Sequence, residues 1–362
     1  MPDIFSIFKQ SVFPSYLGVD IGTTSIKVVE VKPGKQLPQV INYGFLESSG
    51  HLARANQALQ TSTLKLFEKE AAELLKLIIH EMKPGATEAF ASLPIFSAFT
   101  TVLDFPILSP KELSQALIYQ AKQYVPQPLS EVALDWLKVG EYEDDKGFKH
   151  QQVLLISVPQ EQIRKYQKIF KDAGLNLKAL EIEGLSLARV FGGNDPTPTV
   201  VVDVGSRSTN ITFLDRGELR MSMQTDFAGA SLTQALASSL EINPLRAEEL
   251  KKERGISMSG PNFELSTIML PFLDAIINEV RKAIYRYEIQ LKSAAKVERV
   301  ILSGGGANLR GIEKYFEREM GLPVVRATPF VKFEYGSELE PILGELGPVM
   351  SVALGLTMRE FL

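Results

Sequence analysis

The sequence predicts an α/β protein of two related lobes, with a smaller subdomain inserted into the first lobe. Three observations support this prediction. An apolar strand, an Asp-x-Gly-Ser/Thr turn and a second strand occur twice, at residues 17–31 and 200–214. A linker rich in glycine and proline, residues 192–198, directly precedes the second copy. Between the two copies, residues 97–181 follow a different order of strand and helix patterns and therefore indicate an insertion.

The two copies of the turn align residue by residue at a constant separation of 183 positions. The matched pairs are Asp20 with Asp203, Gly22 with Gly205, and Thr23 with Ser206. Each turn can present backbone N–H groups and a hydroxyl to an anion, because glycine tolerates conformations that point successive amides inward. Two such turns facing each other would bind a polyphosphate from both sides.

The first lobe begins with the hairpin at residues 17–31, and the turn at Lys32-Pro-Gly-Lys35 leads into a third strand at residues 37–48. Residues 64–82 predict an amphipathic helix, which ends at the breaker pair Pro84-Gly85. A buried strand at residues 88–93 follows.

The insertion predicts a β-α-β-β-α-β order that we expect to form a self-contained subdomain. Ser109 is the expected N-cap of its first helix, and Gly174 is the expected stop of its second helix. The predicted strands and helices are, in chain order, 100–105, 110–124, 134–142, 150–158, 161–173 and 177–183.

The second lobe begins near Thr199 with the repeated hairpin. The patterns after it predict two long helical regions, then a strand, a glycine-rich loop, a helix, a short strand and a closing helix. Their predicted ranges are 228–255, 270–293, 298–303, 304–308, 311–320, 322–326 and 349–361, and residues 186–191 form a helix before the linker.

Composition excludes several classes of function. The chain has 362 residues, 45% of them hydrophobic. A chain of this length usually folds around more than one hydrophobic core, so two or more lobes are expected. A net charge of −4 gives no overall field that would attract nucleic acid. No cysteine is present for a disulfide or thiolate site, and the three histidines, His51, His80 and His150, are too scattered to indicate a metal site.

The sequence also indicates a cytosolic location, because no apolar run approaches the roughly 20 residues that span a bilayer and no signal peptide is apparent. Near the start, Ile4, Phe8 and Val12 have helical spacing and Phe5 lies beside them. This segment could contact a membrane surface or a partner, but we favour packing on its own domain.

Phosphate chemistry requires neutralisation of charge and a bound metal ion. The first turn supplies amides and hydroxyls from Gly22, Thr23 and Thr24, and Lys27 adds a cation. Asp20 and Asp203 are suited to hold Mg²⁺ through its water shell, since this ion often takes only one or two carboxylates.

The second turn supplies Gly205 and Ser206. Asn210 stands where the first copy has Lys27, so only the first lobe contributes a positive charge at this position. Either hairpin alone is typical of an ordinary β-turn. Two copies, each opening a lobe, favour a nucleotide site.

Residues 303–308 form a glycine-rich loop between a strand and a helix, where backbone can approach a flat or phosphorylated ligand. Its candidate contact residues are Gly304, Gly305, Gly306 and Asn308. The loop is not a Walker A motif, because Ile312 and Glu313 stand where Lys-Ser/Thr should be. Leu309 likewise breaks the G-x-G-x-x-G pattern.

A serine hydrolase is the weaker alternative at Gly184-Leu-Ser-Leu-Ala188, which resembles a nucleophile elbow. The last glycine of that motif is replaced by Ala188, and every histidine precedes Ser186, opposite to the order in that fold. Ser186 is therefore interpreted as an ordinary residue at a helix N-terminus.

Taken together, residues 18–27, 202–206 and 302–308 resemble the first phosphate, second phosphate and adenosine motifs of the actin, Hsp70 and sugar-kinase superfold. The resemblance implies an actin-like, ribonuclease H-like duplicated ATPase fold that binds ATP or ADP with Mg²⁺. It also implies that the segment containing Glu183 and residues 347–355 are the two connecting helices. Glu183 would lie near the attacking water, giving catalytic roles to Glu183, Asp20 and Asp203. Residues 247–251 are similar to an Ala-Glu-x-x-Lys helix, in which Glu248 and Lys251 would contact the ribose and base.

The resemblance divides the chain into four parts. The first lobe comprises residues 15–96, completed by 182–198 and 345–362, and the insertion comprises 97–181. The second lobe comprises 199–227 and 296–344, and its helical subdomain comprises 228–295.

Within the superfold, the insertion resembles the one shared by FtsA and the PilM family of type IV pilus assembly proteins, and residues 25–31, 229–237 and 321–330 resemble the PilM family. Membership implies a cytoplasmic scaffold, peripheral to the inner membrane, that binds the cytoplasmic N-terminal tail of PilN between the first lobe and the insertion. Other inner-membrane and motor components of the pilus would be further partners, with no nucleic acid and with self-association left open. An FtsA-like filament-forming protein and a small-molecule kinase remain alternatives, and we expect at most slow ATP hydrolysis.

Overall fold

A computed structural model describes residues 14–48, 68–257, 263–292 and 295–361 of the protein. The apolar segment at residues 1–13, His51 and the start of the helix predicted at 64–82 lie outside the described residues. The strands are β1 (Tyr16–Ile21), β2 (Ser25–Lys32), β3 (Gln39–Glu47), β4 (Glu88–Leu93), β5 (Phe99–Pro106), β6 (Val132–Glu143), β7 (Lys149–Pro159), β8 (Asn176–Ile182), β9 (Thr199–Val204), β10 (Thr209–Asp215), β11 (Glu218–Thr225), β12 (Arg299–Ser303) and β13 (Val324–Arg326). The helices are α1 (Glu68–Met82), α2 (Pro110–Tyr124), α3 (Gln160–Asp172), α4 (Glu183–Phe191), α5 (Gly229–Leu240), α6 (Pro244–Arg254), α7 (Phe263–Gln290), α8 (Ile312–Met320) and α9 (Leu343–Thr357).

Two five-stranded sheets share one topology. The first has the order β3-β2-β1-β4-β8 and the second the order β11-β10-β9-β12-β13. In each sheet three strands form an antiparallel meander, and the last two strands run parallel to the first strand of that meander. The duplication seen in the two turns therefore extends over both complete sheets.

The inserted region forms its own three-stranded sheet with the order β5-β7-β6. Helix α2 covers one face of it, and Leu113, Leu117 and Ala121 of the helix are buried there. Ser109 caps the helix in a reciprocal capping box with Glu112, as its position predicts.

The predicted order of strands and helices in the insertion is present, but the last two elements belong elsewhere. Strand β8 pairs in parallel with β4, so it completes the first lobe's sheet. Tyr166, Ile169 and Phe170 of α3 are buried in the first lobe's core. Sequence adjacency suggested that these elements close the insertion, whereas the apolar surface that buries them lies on the first lobe.

The two helices predicted to connect the lobes pack directly on each other, α4 against α9. Helix α9 begins at Leu343, six residues earlier than predicted, and contains Pro348. Helix α7 likewise begins at Phe263 and runs through Pro271. In both cases tertiary packing keeps a proline inside a helix that local sequence rules would end.

One described stretch, Ser337–Glu360, is long and apolar enough to cross a membrane, contrary to the prediction that the chain has no such run. Of its most apolar 18-residue window, 61% is buried inside the protein. Its α9 portion packs on β1 and β2, so this stretch is a core helix in the fold.

Candidate functional site

The two repeated turns have the same backbone hydrogen bond. The Gly22 N–H donates to the Ser25 carbonyl at 2.9 Å, and the Gly205 N–H donates to the Ser208 carbonyl at 3.0 Å. In each turn a Cβ on the glycine would collide or nearly collide, being 3.1 Å from the Ser25 carbonyl oxygen or 2.8 Å from the Ser208 carbonyl oxygen. A side chain at Gly205 would therefore force the second turn to shift, and one at Gly22 would crowd the first turn.

Asp20 lies buried at the end of β1, and both of its carboxylate oxygens accept hydrogen bonds. Its Oδ2 accepts from Lys27 Nζ at 2.9 Å, and its Oδ1 accepts from Ser92 Oγ at 2.8 Å. The contact with Lys27 arises from register, because Asp20 faces Lys27 across the β1–β2 pair. Lys27 also lies close to Gly22, and so its ammonium is held against the turn that the sequence assigned to phosphate.

The second turn has the same strand register, but an uncharged side chain stands in the position of the lysine. Asp203 faces Asn210 across the β9–β10 pair, as Asp20 faces Lys27. The Asn210 amide donates to Glu183 Oε2 at 3.1 Å, while its oxygen accepts from Ser222 Oγ at 2.9 Å and from Thr212 Oγ1 at 3.1 Å. Asn210 therefore holds the carboxyl of Glu183 beside the second turn.

Glu183 is the first residue of α4, and the next residue explains how closely that helix approaches the second lobe. A Cβ on Gly184 would lie 2.8 Å from Ser222 Oγ. Glycine at this position thus allows α4 to pack against β11, the strand that also supplies Ser222 to the Asn210 network.

The carboxyl groups of the two lobes form one electrostatic cluster. Burial, followed by the charges of Asp20 and Asp203, raises the pKa of Glu183 to about 8. Burial also raises the pKa of Asp203 to about 6, with a further increase from Asp20. Burial lowers the pKa of Lys27, but the carboxylates of Asp20, Asp203 and Glu183 outweigh it and leave that pKa raised. Three acids thus share one cation.

Such a concentration of carboxyl groups around one cation fits the binding of a divalent metal ion. Asp20 and Asp203 offer one carboxylate from each lobe, which suits Mg²⁺ because that ion keeps most of its water ligands. Within the described ranges, no group of three His, Cys, Asp or Glu side chains is arranged to bind a metal directly. The donor set therefore fits a hydrated ion shared with phosphate oxygens rather than an all-protein cage.

The glycine-rich loop packs against the second turn. Gly304 has φ +77°, and a Cβ there would lie 2.8 Å from Asp203 Oδ1, while a Cβ on Gly306 would lie 2.4 Å from the Val204 side chain. Around Gly305 no atom lies within 4 Å of such a Cβ. Two of the glycines therefore serve close packing, and Gly305 presents open backbone. Asn308 donates to the Glu345 carbonyl at 2.8 Å and so connects the loop to α9.

Glu248 and Lys251 form an ion pair at 2.7 Å on α6. Lys251 also donates to the Gly229 carbonyl at 3.1 Å, and the Gly229 N–H donates to the Gly205 carbonyl at 3.0 Å. These contacts place the pair next to the second turn through the start of α5. Burial lowers the pKa of Lys251. Burial by itself would raise the pKa of Glu248, but the charge and hydrogen bond of Lys251, together with the hydrogen bond from Thr233 and the charge of Lys252, leave that pKa lowered.

The remaining candidates, Thr23, Thr24 and Ser206, are half-buried residues of the two turns. The Thr24 carbonyl accepts the Ser48 N–H at 2.8 Å, and the Ser206 carbonyl accepts the Ala230 N–H at 2.7 Å. Sequence reasoning missed Ser92, Thr212 and Ser222, which fix Asp20 and Asn210. The sequence feature that could have identified them is a small hydroxyl residue within a buried strand, because a buried hydroxyl requires a hydrogen-bond partner.

The comparisons with known proteins agree with this geometry. The family described as "Type IV pilus assembly protein PilM" matches residues 18–361. The chain belongs to the PilM family. A solved structure described as a PilM-PilN type IV pilus biogenesis complex is 23% identical, covers 95% of this chain and 98% of its own, and superimposes with a TM-score of 0.79.

More distant relatives of this PilM-family chain have the same actin-like fold. The cell division protein FtsA of Enterococcus hirae is 21% identical in an alignment that covers 87% of this chain and 78% of FtsA. MreB5 of Spiroplasma citri, solved with ADP, is 14% identical, covers 96% of each chain and gives a TM-score of 0.55. The predicted actin-like α/β fold and the FtsA-related, PilM-type family are thus confirmed.

Proposed function

We propose that this PilM-family protein is a nucleotide-dependent scaffold of type IV pilus assembly. It binds ATP or ADP with Mg²⁺ between its two lobes and binds the cytoplasmic N-terminal tail of PilN. In this role it works in the cytoplasm, is held at the inner membrane through its partners, and links them to the pilus motor.

The observation that carries the nucleotide half of the proposal is the pairing of the two turns. Asp20 and Asp203 occupy equivalent positions in two equivalent sheets, and their charges influence the same neighbours, Glu183 and Lys27. One nucleotide between the turns would place its phosphates on the amides and hydroxyls of both, with Lys27 as the cation of the first lobe. The structure of an actin-like relative with bound ADP supports this proposal.

Slow hydrolysis follows from the position of Glu183. A carboxyl whose pKa is about 8 is largely protonated at neutral pH and is then a poor base towards water. When Mg²⁺ is bound, it supplies positive charge to the phosphates and to the nearby carboxylates. Glu183, held by Asn210, would orient the water rather than remove its proton.

The PilN half of the proposal is supported by family membership and by the similar complex whose description includes PilN. The test is to measure two activities of the purified full chain. With Mg²⁺ and ATP, we expect turnover well below the median enzyme rate of about 10 per second. A synthetic peptide of the PilN tail from the same source should be retained on the protein.

Glu183→Gln and Ser186→Ala form a matched pair for this experiment, because both residues lie on α4 and only Glu183 faces Asn210. The Glu183 variant should lose hydrolysis while it keeps ATP binding, and the Ser186 variant should keep both activities. Rapid turnover without peptide binding would instead favour a metabolic kinase or ATPase. ATP-dependent polymerisation seen by light scattering would favour the filament-forming alternative.

A further inference from the structure

A cavity of about 40 Å³ lies beside the first turn, against helix α3. Gly22 and Thr23 of the turn line one side of it. The opposite side is a single face of α3, whose lining residues are spaced by three or four positions: Gln162, Lys165, Tyr166 and Ile169. At roughly 10 to 15 Å³ for each water-sized group, the cavity holds about three such groups. That space suits the oxygens of one phosphate group and is too small for a whole nucleotide.

The residues that line this cavity are suited to an anion. Thr23, Ser97 and Tyr166 carry hydroxyls, Gln162 carries an amide, and Lys165 carries a positive charge. Among the described residues that line the cavity there is no carboxylate. Gln162 also belongs to the first turn of α3, where the helix dipole favours negative charge. The cavity therefore has the opposite character to the neighbouring cluster of carboxyl groups.

Tyr166 brings a buried hydroxyl to this cavity. The residue is only 7% exposed, and within the part of the chain that the structure describes its hydroxyl makes no hydrogen bond. Burial raises the pKa of Tyr166, with smaller increases from the charges of Glu183 and Asp20, so the phenol stays a neutral O–H donor. A buried hydroxyl normally has a hydrogen-bond partner. The Tyr166 hydroxyl is therefore a donor for an acceptor that enters the cavity.

The cavity adjoins the surface on which the phosphates of a nucleotide would lie. Gly22 and Thr23 line the cavity and also belong to the turn proposed to bind phosphate. In a bound ATP, the phosphate nearest to Glu183 would be the terminal one, because the water that Glu183 orients attacks that group. Tyr166 is close enough to Glu183 to be influenced by its charge. The phenol therefore lies at the end of the site where a third phosphate would be.

We propose that Tyr166 is a specificity-determining residue, which donates a hydrogen bond to the terminal phosphate of ATP in this cavity, where Lys165 adds positive charge. The inference rests on the proposed function for the presence of the nucleotide. ADP lacks the third phosphate and leaves the phenol without this bond. Because a hydrogen bond to a charged oxygen is stronger than one between neutral groups, its loss distinguishes ADP from ATP. Helix α3 thus takes part in recognising which nucleotide is bound.

The experiment measures the affinities of Mg-ATP and Mg-ADP for the full chain and for Tyr166→Phe, which removes the hydroxyl and keeps the ring. The affinity for ATP should fall about tenfold or more, while that for ADP should change by less than about twofold. Tyr119→Phe is the matched control, because it makes the same change at an exposed tyrosine of α2 and should leave both affinities unaltered. Without nucleotide, the melting temperature of Tyr166→Phe should not fall, since the hydroxyl has no partner among the described residues.

A second measurement begins with the unaltered protein. Beryllium fluoride, which takes the place of the terminal phosphate beside bound ADP, should increase the affinity for ADP in the unaltered chain and in Tyr119→Phe, but much less in Tyr166→Phe. No increase in the unaltered chain, or the same ratio of ATP to ADP affinity with and without the Tyr166 hydroxyl, would overturn this inference and leave the proposed function intact. Equal losses for both nucleotides with a lower melting temperature would make Tyr166 a structural residue and would also overturn it. Failure of the unaltered protein to bind either nucleotide would overturn the proposed function as well.

Discussion

The first and second turns share a backbone and differ in charge. In the first lobe, Asp20 is neutralised by Lys27 at 2.9 Å across the hairpin. In the second lobe, the residue across from Asp203 is Asn210, which contributes no charge and binds Glu183 instead. The duplicated fold thus provides two equivalent positions. The lysine at the first position supplies a positive charge, whereas the asparagine at the second position binds the carboxyl group of Glu183.

This difference separates two tasks that a symmetric pair could not perform together. A lysine at both positions would neutralise Asp203 and would occupy the space in which Asn210 holds Glu183. An asparagine at both would leave buried Asp20 and half-buried Asp203 and Glu183 without a cation, which is costly where access of water is restricted. Under the proposed function, the asymmetry would place the phosphate charge near the first lobe and the water-orienting group near the second.

The largest effect is expected from removing the feature that the turns share. Asp20→Ala and Asp203→Ala should each weaken binding of Mg-ATP by about 100-fold, because each removes one of two carboxylates proposed to hold the hydrated ion. Titration calorimetry with Mg²⁺ measures this change. Asp172→Ala, an exposed position at the end of α3, is the control. Unaltered affinity in both site variants would show that the turns do not bind the nucleotide.

The next largest effect is expected from removing the difference in charge between the two turns. Lys27→Asn makes the first turn resemble the second and should weaken ATP binding about tenfold, with a much smaller loss for adenosine, which lacks phosphates. The buried Asp20 also loses its partner, so the melting temperature of the variant must be recorded alongside the affinities. An equal loss for ATP and adenosine would mean that Lys27 acts through the fold and not through phosphate.

A smaller effect concerns stability in the absence of nucleotide and Mg²⁺. The pKa of Glu183 is about 8 in the folded protein and near 4.5 when unfolded. Between these values the unfolded chain has released a proton that the folded chain retains, so stability should fall as pH rises from about 5 to 8. Glu183→Gln should remove part of this fall and gain on the order of 1 kcal/mol at pH 8.

Urea unfolding at pH 5.5 and pH 8, with EDTA present, measures that change. Glu161→Gln, an exposed position on α3, serves as the control and should follow the unaltered protein at both pH values. If Glu183→Gln also shows the full pH dependence, burial of Glu183 is not its source.

The smallest effect is expected at the Glu248–Lys251 pair, which is not part of the carboxyl cluster. Glu248→Gln should weaken nucleotide binding only a few-fold, because Lys251 keeps its bonds to Thr233 and to the Gly229 carbonyl. The sensitive measurement is competition between ATP and GTP for the protein. If Glu248 contacts the base, the substitution should change the preference for adenine over guanine more than it changes the affinity for ATP. Unchanged preference would remove Glu248 from the base contact proposed for it.

The sequence was sufficient to predict those features that depend on local pattern. The Asp-x-Gly-Ser/Thr repeat predicted two equivalent turns, and their glycines form the same hydrogen bond in the structure. Strand β4 and helix α2 have the bounds predicted for them. Apolar periodicity, glycine and proline are local signals, and they determined these elements.

Features that depend on distant pairing were not predictable in the same way. Strand β8 reads as the end of the insertion, yet its partner β4 lies more than 80 residues earlier. Glu183 and Asn210 were each identified as candidates, but their contact requires α4 to approach the second lobe, which Gly184 permits. No periodic pattern shows which lobe will bury a given face.

The central claim is that the two turns act together on a single nucleotide. Titration of ATP into the unaltered full chain by calorimetry, with and without Mg²⁺, tests it most directly. We expect one ATP per chain and clearly tighter binding when Mg²⁺ is present. Two independent ATP molecules per chain, or no binding in the presence of Mg²⁺, would contradict it.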